Sequence, residues 1–251
     1  MLKMHTVALF GGHNPKGLTA RLAQHLLTAI PGTSEFIDLN TRFLHPDRPG
    51  ETNLNLDALE AKLAHADIWV LISPTYYGSV AGPLKQALDC LRPRIIRMTQ
   101  KGDSLPGKYR GKVYLIVSSC FASGWDNTFT HQTDACLTTL DKAMSTAGLR
   151  KAGELVLPHT WGMSELPPAK LKTAEQLAVK LPRRVRKDDE TMKRYGLLFV
   201  MVAVMALITM SLQLLLPLSG FWWRYISFVI IFFGLLAGIL HYATFMRHKH
   251  R

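Results

Sequence analysis

Cysteine is scarce in this chain, and acidic residues are fewer than basic ones. The three cysteines, Cys90, Cys120 and Cys136, are scattered through 251 residues with no CxxC pair. Neither a disulfide framework nor a thiolate-held metal cluster is indicated, and no metal ligand set is expected. The glycine-rich turn at residues 11–17 is not followed by GK[ST] and does not read GxGxxG. That pattern disfavours a Walker-type phosphate loop and a Rossmann-type dinucleotide site. The opening "MLKMHTVALFGG" holds too short an apolar stretch for a signal-peptide core, so the first domain is expected in the cytoplasm. Asp and Glu number 18 against 30 Lys and Arg, a net charge of +12. Basic chains often bind nucleic acid, but no basic helix here carries interleaved aromatics. Much of the excess flanks two apolar runs instead, which fits attraction to anionic lipid, so nucleic acid is not an expected partner.

Those runs are Tyr195 to Leu216 and Tyr225 to Met246, neither with a formal charge. At about 1.5 Å per residue each spans roughly 33 Å as a helix, enough for a hydrocarbon core of about 30 Å. They are apolar on all sides and read as a transmembrane hairpin over 195–246. Before it, residues 183–194 form a basic linker with Arg183, Arg184, Arg186, Lys187, Lys193 and Arg194; after it comes the basic tail 247–251. The turn between the runs carries only Arg224, so both termini are expected on the cytoplasmic side, with Trp222 and Trp223 at the interface. The expected location is therefore a cell membrane crossed twice. Gly234 and Gly238 form a GxxxG step that could bring helices close.

Residues 1–182 alternate between strand-like and helix-like segments. "HTVALF", "SEFIDL", "DIWVLIS", "GKVYLIVSS" and "AGELVLP" read as five short strands, with helical spacing in the segments between and after them. The alternation predicts an α/β fold, a doubly wound parallel sheet covered on both faces. Ligands of such sheets bind at the carboxyl edge of the strands, which points to the loops after strands one, three and four.

The first, "GGHNPKGLTARL", leads through glycines into a helix, offering backbone N–H groups and a positive dipole end to a phosphate; Lys16 and His13 add charge or hydrogen bonds. Its plainer reading is a glycine turn with Thr19 as the helix cap. In the second, "SPTYYGS", Pro74 fixes the exit from the strand, Gly78 permits close approach, and Tyr76 and Tyr77 present aromatic faces to a flat ring. Either tyrosine could equally pack at a rim. The third, "SSCFASGWDN", offers small residues with Phe121 and Trp125. Together the three describe a flavin site. Cys120 reads as a small buried thiol at a strand end, and His131 as a solvated helix-start residue.

"GGHNPKGLTARL" followed by "SPTYYGSVAGPLKQALD" resembles the NAD(P)H-dependent FMN reductase branch of the flavodoxin-like superfamily, over roughly residues 4–180. Ser73, Pro74, Tyr76, Leu84, Lys85 and Asp89 match the family's second motif. Gly12 stands where the family often has serine, and Leu18 where it often has asparagine. The resemblance implies a five-stranded flavodoxin-like sheet of order 2-1-3-4-5, FMN at its carboxyl edge, NADPH or NADH as cosubstrate, and frequent homodimers. It further implies that His13, Gly17, Leu18 and Thr19 surround the phosphate. Pro74, Thr75, Tyr76, Tyr77 and Gly78 would contact the isoalloxazine, with Ser118, Ser119, Cys120, Phe121 and Gly124 on its other side. No acid–base residue is nominated, because the cofactor carries the chemistry. The expected activity is a membrane-anchored oxidoreductase passing electrons to a quinone, a flavin or a membrane redox partner. The competing expectation is a non-enzymatic membrane module serving as electron carrier, sensor or interaction domain.

Overall fold

The computed structural model describes residues 4–123, 127, 133–185, 191–215 and 220–249. The chain divides into two compact units, Met1–Arg186 and Lys187–Arg251.

In the first unit the order is β1 (Met4–Phe10), α1 (Leu18–Ala29), β2 (Gly32–Asp38), α2 (Leu54–His65), β3 (Ile68–Tyr76), β4 (Ser79–Val80), α3 (Gly82–Ile95), β5 (Ile96–Met98), β6 (Ser104–Pro106), β7 (Val113–Ser119), α4 (Asp134–Thr146), β8 (Arg150–Leu157) and α5 (Pro168–Val185). The main sheet runs β2-β1-β3-β7-β8 with every neighbouring pair parallel. These five strands succeed one another as 2-1-3-4-5 anticipates. The short strands β4, β5 and β6 were not anticipated.

Side-chain alternation along the central strands feeds two cores. Val7, Leu9, Trp69, Leu71, Tyr114 and Ile116 point to one face and pack on α2, α3 and α4. Ala8, Phe10, Val70, Ile72, Leu115 and Val117 point to the other and pack on α1 and α5. Strands covered on both faces need apolar residues at consecutive positions, which is why β3 and β7 read as unbroken hydrophobic runs. Full burial of each Leu or Ile contributes about 1.5–3 kcal/mol. The largest buried side chain, Trp69, also donates Nε1–H to the Leu63 carbonyl at 2.9 Å, so its polar atom is satisfied inside the core.

β3 continues past Ser73, where the alternation suggested its end. β1 stops pairing with it at Phe10–Ile72, and the Gly11 N–H closes that side on the Ile72 carbonyl at 2.9 Å. Beyond this point β3 has a parallel neighbour only in β7, so Pro74, which lacks an N–H, is tolerated in the strand.

The second unit comprises α6 (Thr191–Leu214) and α7 (Phe221–Lys249). The Gln213 side chain donates to the Arg224 carbonyl and to Ser227 Oγ, both at 2.6 Å, which ties the end of α6 to the start of α7. Met205 and Thr209 are buried, whereas Phe199, Leu207, Trp222, Trp223 and Phe233 are exposed. Among the described residues one segment, Phe221–Ile239, is long and apolar enough to cross a membrane, with a mean hydropathy of 1.7. The expectation of two such spans is met once. The apolar part of α6, Leu198–Leu214, falls short of the roughly 18 residues a span requires. The GxxxG step does not serve the packing of this unit: a Cβ on Gly234 or Gly238 would meet nothing within 4 Å.

Candidate functional site

The first loop is built before α1 begins. Asn14 Oδ1 accepts from the Lys16 N–H at 2.9 Å and the Asn14 carbonyl accepts from the Gly17 N–H at 3.0 Å, a local turn of the kind asparagine favours. His13, Asn14, Pro15 and Lys16 are all exposed. Gly17 is the N-cap, in extended conformation, and no side chain caps the helix. The cap expected of Thr19 is therefore absent. Thr19 lies inside the first turn, buried, with Oγ1 2.5 Å from Ser119 Oγ at the end of β7. The first turn of α1 is left with backbone N–H groups that no side chain neutralises, the condition in which a helix end binds an anion.

Gly12 explains one departure from the family pattern. A Cβ there would lie 2.5 Å from Phe10 Cζ and 3.0 Å from Pro74 Cδ, so serine does not fit without moving a buried ring. The Gly12 carbonyl accepts from Asn40 Nδ2 at 2.7 Å. Asn40, just after β2, is a support for the site that sequence reasoning missed.

The second loop is a hairpin. Thr75 pairs with Val80 and Tyr76 with Ser79, leaving Tyr77 and Gly78 as a two-residue turn with φ of 51° and 73°. Consecutive left-handed residues are the signature of a type I′ turn. Gly78 adopts this conformation freely, whereas for Tyr77 it is strained. The backbone of Tyr76 and Ser79 is drawn into the hairpin pairing. Tyr76 is 47% exposed and Tyr77 fully exposed, while Pro74 and Thr75 are buried.

The third loop divides by depth. Ser118 and Ser119 are buried in β7 opposite Ser73 and Pro74, and Ser118 Oγ lies 3.0 Å from Thr75 Oγ1. Cys120 is buried and its thiol donates to the Ala122 carbonyl. Burial pushes that thiol up, against the hydrogen bonds and the nearby Lys170 that lower it. At neutral pH it is a poor nucleophile, as a structural cysteine is. Burial likewise pushes Lys170 down, partly offset by Cys120. Phe121 is 61% exposed at the rim. Gly124, Trp125 and His131 lie outside the described residues.

A fourth segment completes the edge. The His159 N–H donates to the Ala122 carbonyl at 2.7 Å, and the Thr160 N–H to the Cys120 carbonyl at 3.1 Å. This holds Trp161, 82% exposed, in the loop after β8. The carboxyl-edge rule applied to strand five as well would have found it.

Thr19–Ser119, Thr75–Ser118 and the Gly12–Pro74 approach thus fasten three loops into one rim. Its inner hydroxyls are spent on each other, and its outer surface offers an uncapped helix end, the exposed aromatic side chains of Tyr76, Tyr77, Phe121 and Trp161, and the exposed Lys16. These features are compatible with a phosphorylated cofactor that carries a flat ring. A separate surface cavity of about 520 Å³, lined by Arg21, Gln24, His25 and Glu165 among others, opens along the outer side of α1.

The sequence profile described as "NADPH-dependent FMN reductase" matches residues 4–141. No curated protein sequence matches. Among solved structures, an FMN-dependent NADH-azoreductase from Bacillus anthracis in complex with FMN is similar at 14% identity and a TM-score of 0.57, covering 71% of this chain and 99% of that one. An NAD(P)H:quinone oxidoreductase from Methanothermobacter marburgensis is similar at 15% identity and a TM-score of 0.54, covering 75% of this chain and 98% of that one. At these identities the likeness is one of fold.

Proposed function

The chain belongs to the NADPH-dependent FMN reductase family, whose profile spans more than half of it; from that premise we propose a membrane-anchored reductase that delivers electrons from NAD(P)H to a small acceptor such as a quinone. It is an oxidoreductase, and its cofactor is FMN. FMN held there would supply the redox chemistry, the transfer of hydride from the reduced nicotinamide and of electrons to the acceptor. The residues prepare that exchange. Leu18 and Thr19 in the uncapped first turn of α1 hold the phosphate through their backbone, with Gly17 admitting close approach and His13 and Lys16 adding charge. Pro74, Thr75, Tyr76, Tyr77 and Gly78 form one wall, and Ser118, Ser119, Cys120 and Phe121 form the other. Within those walls Tyr76 and Phe121 keep water from the ring.

The observation that carries this reading is the uncapped helix end beside the Thr19–Ser119 tie, because a phosphate bound there would lie where three loops meet. Quinones as acceptor are supported by the fold shared with a quinone oxidoreductase. The experiment is absorbance and FMN titration of the purified full chain, then NADPH and NADH oxidation with FMN and a quinone present. A yellow protein that oxidises one of them supports the proposal. Colourless protein that takes up no FMN overturns it, and flavin uptake without nicotinamide oxidation makes the chain an electron carrier.

Anchoring is the second half of the proposal. Phe221–Ile239 supplies one span, and Tyr195–Leu216 joins it as the other, with Arg183–Arg194 and the tail on the cytoplasmic side. In this reading residues 1–182 form the flavin domain, 183–194 the linker and 195–246 the hairpin, and the partner is a membrane redox protein or a lipid-borne acceptor. The family resemblance adds a homodimer. Cysteine labelling at both termini in sealed right-side-out vesicles tests the topology: reaction from outside overturns it.

A further inference from the structure

The amino edge of the sheet, opposite the flavin rim, carries a feature with no role in that chemistry. Between α3 and β7 the chain inserts the β5–β6 hairpin, whose strands pair Arg97 with Leu105 and Met98 with Ser104. Met98 is 54% and Leu105 43% exposed, and the register sets them on opposite faces of the hairpin, Met98 with Ser104 and Leu105 with Arg97. Around them stand Arg92, Arg97, Lys101 and Arg110, all exposed. Arg92 reaches only Met98 Sδ, and Arg97 only the Pro106 carbonyl. None of the four is paired with a carboxylate among the described residues. Neighbouring cations behave otherwise: Lys108 is bound to Glu60, and Lys151 to Asp141 and Glu154. The hairpin's own acid, Asp103, is held in the turn by Thr99.

The same edge is where the first unit ends. Arg21, early in α1, donates to the Ser164 carbonyl just before α5, and His25, one turn later, meets Glu175 within α5. The two helices therefore run parallel, from the flavin rim to the amino edge. α5 finishes there at Val185, one residue before the unit's limit at Arg186.

We infer that the β5–β6 hairpin and its cations form a docking surface for an anionic lipid surface. An apolar side chain on each face of a projecting hairpin, among unpaired cations, suits entry into a headgroup boundary, where the cations meet lipid phosphates and both Met98 and Leu105 leave water. Nucleic acid suits it less, because it would cover one face and leave the other apolar side chain in water. The inference builds on the anchoring half of the proposed function and is independent of the flavin chemistry.

The test uses the full chain in nanodiscs of phosphatidylcholine alone and of phosphatidylcholine with about one third phosphatidylglycerol, read by amide hydrogen exchange. In anionic discs residues 96–106 exchange at least about threefold more slowly, and the difference disappears in about 0.5 M salt as screening predicts. The triple variant R97E/K101E/R110E abolishes the slowing, while residues 12–17 behave alike throughout. Equal exchange of 96–106 in both discs, or slowing retained in the triple variant, overturns the inference. Equal slowing by duplex DNA in neutral discs reassigns the surface to nucleic acid and also overturns it. A chain that refuses to enter discs defeats the anchoring alone. Sedimentation with anionic vesicles then decides the surface: wild type must bind, and each cation removed must weaken binding about fivefold.

Discussion

Thr19 Oγ1 and Ser119 Oγ, one hundred positions apart in sequence, lie 2.5 Å from each other beneath the rim. The contact joins the first turn of α1 to the last residue of β7. Removing either hydroxyl strands the other in a buried place, which costs about 1–3 kcal/mol, whereas removing both costs less than the sum. Thr19→Val and Ser119→Ala, singly and together, should show a coupling of about 1 kcal/mol in urea unfolding. Each single variant should also bind FMN several-fold more weakly. Strictly additive effects would break the link drawn between these loops.

Serine at position 12, the family's frequent choice, should be harmful here. Its Cβ would push on the buried Phe10 ring, which stacks on Phe36 at 5.5 Å. Gly12→Ser is expected to lose about 1–3 kcal/mol of stability, the usual cost of overpacking. Differential scanning calorimetry reads the loss, and an unchanged melting temperature would contradict the crowding.

Tyr77 offers the opposite sign. At φ of 51° in front of Gly78, asparagine is the better residue, because Asn-Gly is the favoured type I′ pair. Tyr77→Asn should gain about 0.5–1 kcal/mol in chemical denaturation. Acceptor turnover should fall at the same time, since an exposed aromatic ring beside the site is lost. A variant both stabler and fully active would show that the strain serves no function.

Arg94 gathers Asp47, Asp57 and Glu60, at 2.6 Å, 2.7 Å and 3.1 Å. Its hydrogen bond holds Asp47 below the ordinary range. Burial pushes Glu60 up, but hydrogen bonds from Lys108, Tyr109 and Arg94 outweigh it and the net direction is down. A carboxyl lowered by folding stabilises the protein above its unfolded pKa, and that contribution is lost as pH falls through the folded one. Stability should therefore be flat from pH 7 to about 5 and decline below about 4. Arg94→Leu should remove about 2–3 kcal/mol at pH 7, allowing for screening at the half-exposed Asp47 and Asp57, and should flatten the acid decline. Urea midpoints across that range check both.

The parallel sheet was legible because the central stretches of β1, β3 and β7, residues 7–10, 68–72 and 113–117, are buried on both faces and carry apolar or aromatic side chains throughout. The meeting of three loops was legible from glycine, proline and aromatic placement after those strands. Depth at the rim was not. Ser118, Ser119, Thr19 and Thr75 look like ligand contacts in a linear reading, yet the fold turns their hydroxyls on one another, a pairing that only the strand register creates. β5 and β6 escaped notice because three-residue strands have no periodicity, and Asn40 because its role depends on a carbonyl 28 positions away.

Seven residues of β7, Val113 to Ser119, separate the cationic edge from the flavin rim. At about 3.3 Å per residue that is a height of roughly 20–25 Å. If the hairpin rests on lipid phosphates, the ring stands well clear of the hydrocarbon. An acceptor drawn from the acyl chains would have to rise that distance to reach the ring, which favours acceptors that leave the hydrocarbon readily over those held deep in it.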